Sequence, residues 1–180
     1  MSTEVAAWDY LRERDARVDP RGRAVVHTIA NDGQPTTTLV RDLDSGKEHA
    51  LARTITGPYW SRDSQTIFGT YVAPDSSGDI WNRWNVAACP ADGRPCRTLA
   101  RGFSPIPTDD GLRVFYIRDT GAARTTREVW VISVDGQNPK NVGTIGPLPP
   151  AWSYDVSPTD QILFPRLNAS RRELWVAQLK

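Results

Sequence analysis

The sequence has few of the residues from which catalytic and metal sites are usually built. Its 180 residues include only two histidines and two cysteines. The cysteines are separated as Cys-x6-Cys, which is not the spacing of a zinc knuckle. No nucleophile elbow of the G-x-S-x-G type, P-loop or dinucleotide-binding glycine motif is present. The sequence therefore predicts a protein that is not an enzyme, with no catalytic residues, no metal and no cofactor.

An excess of charge of either sign is also lacking. Lysine and arginine total 22 against 21 aspartate and glutamate residues, a net charge of +1. A chain this balanced has no overall field to attract nucleic acid. The local arginine groups at Arg12, Arg14 and Arg17 and at Arg171 and Arg172 are interpreted as solvated surface. We expect no nucleic-acid partner.

Long hydrophobic runs are missing as well. The chain begins Met-Ser-Thr-Glu-Val and continues into no apolar stretch of secretory or membrane-spanning length. The sequence as written predicts a cytoplasmic location without membrane insertion. A biological start upstream of Met1 would leave a periplasmic location open.

A strand-turn-strand pattern recurs four times along the chain. Each copy has an apolar anchor, a polar turn and a short apolar segment, and the anchors at 18, 60, 106 and 156 are 42, 46 and 50 residues apart. This period is close to the ~40–45 residues of a four-stranded propeller blade. Aspartate and glycine provide the turns, and the apolar segments predict strands buried between neighbouring sheets. The copies read VDPRGRAVV (18–26), WSRDSQTIF (60–68), IPTDDGLRVF (106–115) and VSPTDQILF (156–164).

A second β-rich segment follows each anchor, and three of these four segments carry tryptophan at the same place. The tryptophans are Trp81, Trp130 and Trp175. Large aromatic side chains contribute much of the buried area in protein cores. We therefore expect these three to pack between adjacent sheets.

This series resembles the WD40-like repeats of the TolB type, or PD40 repeats, whose units read W-S-P-D-G, a strand, a tryptophan strand and D-x-x-G. The resemblance covers most of residues 18–180, although the second unit reads WSRDS and no unit has the full motif. It implies an all-β fold of about four four-stranded antiparallel β-propeller blades, with units starting near 18, 60, 106 and 156.

The resemblance also implies a function. Propellers of this type are non-catalytic modules for protein–protein interaction or sensing, and this chain would be a sensor fragment of a larger bacterial protein. The alternative is the substrate-gating propeller of a prolyl-oligopeptidase-type serine peptidase. That reading requires a separate hydrolase domain, which these 180 residues do not contain.

The two ends bear on the blade count. Residues 1–17 are interpreted as a lead-in connector or closing strand, with a short helix capped by Ser2 or Thr3 as the alternative. Residues 171–180 correspond to the third strand of a unit, so a fourth strand would come from residues 4–11 or from another chain. A small closed ring and a partial propeller both remain open, and a partial propeller is favoured. Its exposed blade edges predict homo-oligomers.

The two cysteines, Cys89 and Cys96, flank a turn between the third and fourth strands of the second unit. A disulfide across the hairpin and two free thiols both remain open. Pairing would indicate an oxidising compartment.

The longest loops are the candidate contact sites for a protein or peptide partner. Exposed aromatic and arginine side chains dominate binding energy at interfaces. Three such residues lie in or near these loops: Trp84, Arg124 and Trp152. The alternative is that these loops are ordinary hairpin tips.

Overall fold

The computed structural model describes residues 13–29, 36–74, 83–120, 126–145, 154–157, 159, 161–168 and 171–178. These ranges contain 15 β-strands joined by turns. No helix long and apolar enough to span a membrane occurs within them. Residues 1–12, Trp81, Arg124 and Trp152 lie outside the described residues.

The strands form four antiparallel sheets in chain order. Sheets 1, 2 and 3 have four strands each and sheet 4 has three within the described residues. Sheet 1 consists of β1 (Glu13–Val18), β2 (Ala24–Ile29), β3 (Thr37–Asp42) and β4 (Glu48–Ala50). Sheet 2 consists of β5 (Thr56–Trp60), β6 (Thr66–Val72), β7 (Trp84–Pro90) and β8 (Arg97–Arg101). Sheet 3 consists of β9 (Phe103–Pro107), β10 (Arg113–Thr120), β11 (Thr126–Ser133) and β12 (Lys140–Ile145), and sheet 4 of β13 (Asp155–Val156), β14 (Gln161–Asn168) and β15 (Arg171–Gln178).

Each sheet is a simple meander, in which every strand pairs with the next along the chain. The first strands of sheets 1, 2 and 3 also contact one another, β1 with β5 and β5 with β9. They form an inner rim, from which the later strands of each sheet extend outward. The four antiparallel sheets agree with the predicted fold class of about four blades.

The register corrects one predicted anchor. Val18 pairs with Val25 and Trp60 with Ile67. In the third unit it is Pro107, not Ile106, that holds this position, because Pro107 pairs with Val114. Proline lacks a backbone N–H and is a poor strand former, so the sequence pattern favoured the apolar Ile106.

The turns after the anchors are stabilised by aspartate, as predicted. Asp19 accepts hydrogen bonds from the backbone N–H of Arg23 and Ala24 at 2.6 and 2.8 Å. Asp110 accepts one from the N–H of Leu112 at 2.9 Å. These side chains replace backbone acceptors and allow the chain to reverse tightly.

Three apolar cores fill the spaces between consecutive sheets. The second strands of sheets 2 and 3, β6 and β10, supply side chains to the cores on both sides, since successive side chains alternate between the two faces. Ile67 faces sheet 1, whereas the next residue, Phe68, faces sheet 3. Phe115 and Ile162 meet between sheets 3 and 4. All four are at most 2% exposed, which confirms the prediction that these strands are buried between sheets.

The three repeat tryptophans are only partly covered by the structure. Trp130 is half-buried and packs against the core between sheets 2 and 3. Trp81 and the side chain of Trp175 lie outside the described residues. Residues 13–17 belong to β1, so the first sheet begins before the anchor at Val18. For residues 1–12 the choice between a connector and a closing strand stays a prediction.

Candidate functional site

An open groove of about 540 Å³ lies on the inner rim, where the first strands of the sheets meet. Its volume falls in the ~300–1,000 Å³ range typical of ligand sites in proteins. The lining residues combine three aromatic rings, one arginine, one aspartate and several hydroxyl groups: Asp15, Arg17, Thr56, Gly57, Tyr59, Thr70, Trp84, Ser104, Ile106 and Tyr154.

A β-bulge at the same position of the first strands of sheets 1, 2 and 3 shapes this groove. Asp15, Gly57 and Ser104 have φ angles of 58°, 57° and 52°, in the left-handed region. At each of them the first strand has one residue more than its partner strand, so the register shifts. Such bulges bend a strand and change the direction of its side chains. The three bulge residues all line the groove.

The residues two positions after each bulge line the groove as well. They are Arg17 on β1, Tyr59 on β5 and Ile106 on β9. Side chains two residues apart on a strand lie on one face of the sheet. The bulge and the strand period together therefore place a cationic, an aromatic and an aliphatic side chain in successive sheets along the groove.

Hydrogen bonds across the sheet boundaries hold the bulges in place. The N–H of Gly57 donates to Asp15 Oδ2 at 3.2 Å, which joins sheets 1 and 2. The N–H of Ser104 donates to Thr70 Oγ1 at 2.9 Å, which joins sheets 2 and 3. The Tyr154 hydroxyl donates to the Ser104 carbonyl at 2.7 Å, which joins the residue before β13 to sheet 3. The inner rim is therefore fixed at three successive boundaries.

Arg17 is the basic group of the groove. Its side chain is exposed, and the guanidinium carbon lies 3.8 Å from the centroid of the Tyr59 ring. A guanidinium stacked on an aromatic face gains a cation–π attraction and loses conformational freedom. The charge of Arg17 is thus held in one place and still faces solvent.

The remaining aromatic groups form the apolar part. Trp84 packs edge-on against Phe103, with ring centroids 5.7 Å apart and planes at 76°. Burial raises the pKa of Tyr154 well above 10, and the nearby Tyr59 and Asp155 raise it further. Tyr154 therefore keeps its proton at physiological pH and can donate the hydrogen bond to Ser104.

Only one residue of the groove was selected from the sequence. Trp84 lines the groove, whereas Arg124 and Trp152 lie outside the described residues. Arg17 was interpreted as solvated surface, and Tyr59 and Tyr154 were not selected. A signal for Arg17 and Tyr59 does exist in the sequence, because each stands one residue before the anchor of its unit, on the strand that forms the inner rim.

Cys89 and Cys96 are joined by a disulfide, with their Cα atoms 4.1 Å apart. Neither cysteine lines the groove. Cys89 belongs to the core between sheets 1 and 2, and Cys96 packs against it. The disulfide ties the outer strand β8 to the core.

The titratable groups outside the groove are dispersed. In the described part of the chain, no three His, Cys, Asp or Glu residues are grouped as metal ligands. His27 is buried with its Nε2 atom 3.5 Å from Glu48 Oε1. His49 contacts the Ala91 carbonyl at 2.7 Å, so it joins the outer edges of sheets 1 and 2. Both histidines take part in contacts between strands or sheets.

Comparison with known proteins shows the fold but not the family. No family model matches the chain, and no curated protein matches it. Among solved structures, TolB from Acinetobacter baumannii is 12% identical with a TM-score of 0.65 over 93% of this chain and 41% of that chain. The β-propeller domain of the trilobed protease from Pyrococcus furiosus is also 12% identical, with a TM-score of 0.59 over 93% of this chain and 54% of that chain.

A third similar structure is the nidogen/laminin complex, at 15% identity and a TM-score of 0.57 over 88% of this chain and 62% of the matched chain. The four sheets are blades of a TolB-like β-propeller, and the predicted all-β fold class is confirmed. The chain spans less than half the length of the TolB structure.

Proposed function

We propose that this chain is a non-catalytic β-propeller module that recognises a protein or peptide through the groove on its inner rim. The observation that carries the proposal is the set of side chains in the groove, with Arg17 stacked on Tyr59 and with Trp84 and Tyr154 beside them. Arginine, tyrosine and tryptophan are the residues that contribute most to binding at protein interfaces.

The shape of the groove supports an extended segment as the ligand. It is lined by the first strands of sheets 1, 2 and 3 and is open to solvent. Its hydroxyl groups, such as those of Thr56 and Ser104, can exchange hydrogen bonds with a peptide backbone. The bonds from Gly57, Ser104 and Tyr154 hold the rim in a fixed shape. A preformed site loses less entropy on binding than one that must become ordered.

The comparisons support a binding role in general terms. TolB is among the similar structures, and the nidogen/laminin structure is by its description a complex. We propose that the chain belongs to the TolB-type PD40 repeats, on the strength of the four units and their tryptophan strands. A sensor region of a larger bacterial protein is the corresponding biological context.

A second candidate is the gating propeller of a peptidase. The similarity to the propeller domain of the trilobed protease favours it. The two functions differ in what must accompany the chain, because a gating propeller requires a hydrolase domain in the same polypeptide or complex. An extended reading frame that encodes a nucleophile elbow would favour the peptidase.

We also propose an oxidising compartment such as the periplasm. The support is the disulfide between Cys89 and Cys96, because disulfides persist in oxidising compartments and are rare in the cytoplasm. Free thiols in protein isolated from its native cells under alkylating conditions would contradict this location.

The proposed recognition is tested by selecting heptapeptides from a random phage-displayed library on the immobilised oxidised chain. We expect a common sequence to be enriched, and Tyr59→Ala to abolish that enrichment. Tyr71→Ala is the matched control. The guanidinium carbon of Arg53 lies 3.9 Å from the centroid of the Tyr71 ring, in a stack similar to that of Arg17 on Tyr59, but Tyr71 does not line the groove. Failure to enrich any sequence would contradict peptide recognition, and equal enrichment by the Tyr59 variant would contradict the groove as its site.

A further inference from the structure

We propose that the segment bound in the groove carries an acidic side chain, which pairs with Arg17, and an apolar side chain toward Ile106. The inference rests on the proposed function and names the chemistry of its partner. Its evidence is the state of Arg17 and the order of side chains along the inner rim.

Several arginines in the described part of the chain are used within the fold. Arg127 pairs with Asp119 at 3.0 Å, with both side chains largely buried. Arg97 donates to the carbonyl of Asp135 at 2.9 Å and so joins sheets 2 and 3. Arg62 donates to the carbonyl of Asp109 at 2.9 Å across the same boundary. These three guanidinium groups each have a fixed acceptor.

Arg17 differs from them. Its guanidinium is held over Tyr59, yet it forms no ion pair with a carboxylate in the part of the chain that the structure describes. A stacked guanidinium still presents its N–H donors at the edge of the plane, where a carboxylate can accept two hydrogen bonds. Arg17 is therefore oriented to receive an acidic group, and none of the described carboxylates forms an ion pair with it.

Asp15 is the carboxylate of the groove that stands nearest to Arg17 in the chain. Its Oδ2 atom accepts the Gly57 N–H at 3.2 Å, across the boundary between sheets 1 and 2. The role of Asp15 is thus to hold the bulge of β5. Its Oδ2 atom is engaged with backbone, and a carboxylate on the ligand supplies a partner of suitable charge for Arg17.

The opposite end of the groove is apolar. Ile106 is 5% exposed and Tyr154 is also 5% exposed, and both belong to the core between sheets 3 and 4. The residues two positions after the bulges are Arg17 on sheet 1, Tyr59 on sheet 2 and Ile106 on sheet 3. A ligand with an acidic residue at one end and an apolar residue at the other matches this order.

The test repeats the heptapeptide selection with charge variants of Arg17. The wild-type chain is expected to enrich peptides with Asp or Glu a few positions from Leu, Ile or Phe. Arg17→Glu is expected to replace this preference by one for Lys or Arg, since the charge at that position changes sign. Arg53→Gln is the control, because Arg53 is stacked on Tyr71 outside the groove.

The affinity of one selected peptide gives a quantitative readout. Arg17→Gln is expected to weaken its binding about tenfold, in line with loss of a charge-assisted hydrogen bond. Replacing the acidic residue of the peptide by its amide should weaken binding to the wild-type chain by a similar factor. The same replacement should leave the affinity of the peptide for the Arg17→Gln variant unchanged. Binding is measured by fluorescence anisotropy, with circular dichroism to confirm that each variant is folded.

The failures of the two proposals are distinguishable. The proposal of an acidic partner is wrong if the wild-type chain enriches sequences without acidic residues, or if the Arg17→Glu variant still prefers acidic peptides. The proposal that the chain recognises a peptide is not contradicted by either result. If the wild-type chain enriches no sequence, peptide recognition itself fails and the acidic partner fails with it.

Discussion

The indole of Trp60 donates its Nε1–H to the carbonyl oxygen of Arg17 at 2.9 Å, across the boundary between sheets 1 and 2. Trp60 ends β5 and is 8% exposed, so the bond lies at the edge of a buried core. It fixes the backbone of the residue whose side chain stacks on Tyr59. The anchor of one repeat thus positions a groove residue of the preceding repeat.

Trp60→Phe is expected to destabilise the chain by about 1–2 kcal/mol, because the aromatic packing is largely kept while the Arg17 carbonyl loses its donor. The measurement is urea unfolding followed by fluorescence of the remaining tryptophans. Trp130→Phe is the matched control, since Trp130 Nε1 bonds instead to Glu128 Oε2 at 2.8 Å on the same strand. Equal decreases in the free energy of unfolding of the two variants would show that the hydrogen bond between sheets 1 and 2 stabilises the fold no more than the bond within one strand.

Gly69 lies where β6 passes the chain segment between β4 and β5. A Cβ atom at this position would stand 2.6 Å from the Cδ1 atom of Ile55, which is fully buried. Gly69→Ala is therefore expected to cost about 1–3 kcal/mol through overpacking. The urea midpoint should fall with an unchanged slope.

Gly143→Ala is the control for this substitution. Gly143 also lies in a strand, but a Cβ atom there meets nothing within 4 Å. The free energy of unfolding of the Gly143→Ala variant should stay unchanged or rise slightly, because alanine restricts the conformations of the unfolded chain more than glycine does. A loss at Gly143 as large as that at Gly69 would contradict the overpacking argument.

The sequence carried enough information for the repeat and its turns, but not for the groove. Asp19 and Asp110 stabilise turns because their local hydrogen bonds need no distant partner. The bulges are different. Only Gly57 is a residue for which a left-handed conformation is ordinary, whereas Asp15 and Ser104 adopt it because of bonds to neighbouring sheets. The groove depends on contacts between repeats, which a repeat pattern alone does not specify.

The displaced anchor in the third unit shows the same limit of a repeat pattern. Ile106 is the stronger strand former, but Pro107 pairs with Val114, and Ile106 stands two residues after the bulge, as Arg17 and Tyr59 do in their units. Sequence periodicity finds the strand and not its register, because the most apolar residue of a strand need not be the one that pairs across the turn.

Reduction of the disulfide between Cys89 and Cys96 is expected to lower the free energy of unfolding by about 2–3 kcal/mol, because a short loop is released in the unfolded chain. The adjacent Arg97 donates to the Asp135 carbonyl, so the contact between sheets 2 and 3 should also weaken. Urea unfolding with and without dithiothreitol measures the change.

The double variant Cys89→Ala and Cys96→Ala provides the control for reduction. It should resemble the reduced chain and should not respond to dithiothreitol. Two thiols that react with a thiol reagent in the folded, unreduced chain would contradict the disulfide.

The turn after β9 makes stability depend on acid pH. The Thr108 hydroxyl, together with the Leu112 N–H and the Arg113 guanidinium, lowers the pKa of Asp110 below its ordinary value of 3.8, against a smaller opposing effect of burial. A carboxyl with a lowered folded-state pKa stabilises the folded state above its unfolded pKa, and this contribution is lost as the pH falls through the folded value. The contribution of Asp110 to the free energy of unfolding should therefore have its full value above about pH 5 and decline below about pH 4.

Asp110→Asn keeps one oxygen acceptor but removes the titration. The variant is expected to be less stable than the parent at pH 7 and to lose less stability between pH 5 and pH 3, so that the two curves converge in acid. Thr108→Ser retains the hydroxyl donor and should keep the acid-dependent loss of the parent. Urea midpoints at half-unit pH intervals give the curves, and parallel curves for the parent and Asp110→Asn would mean that the stability lost in acid comes from other carboxylates.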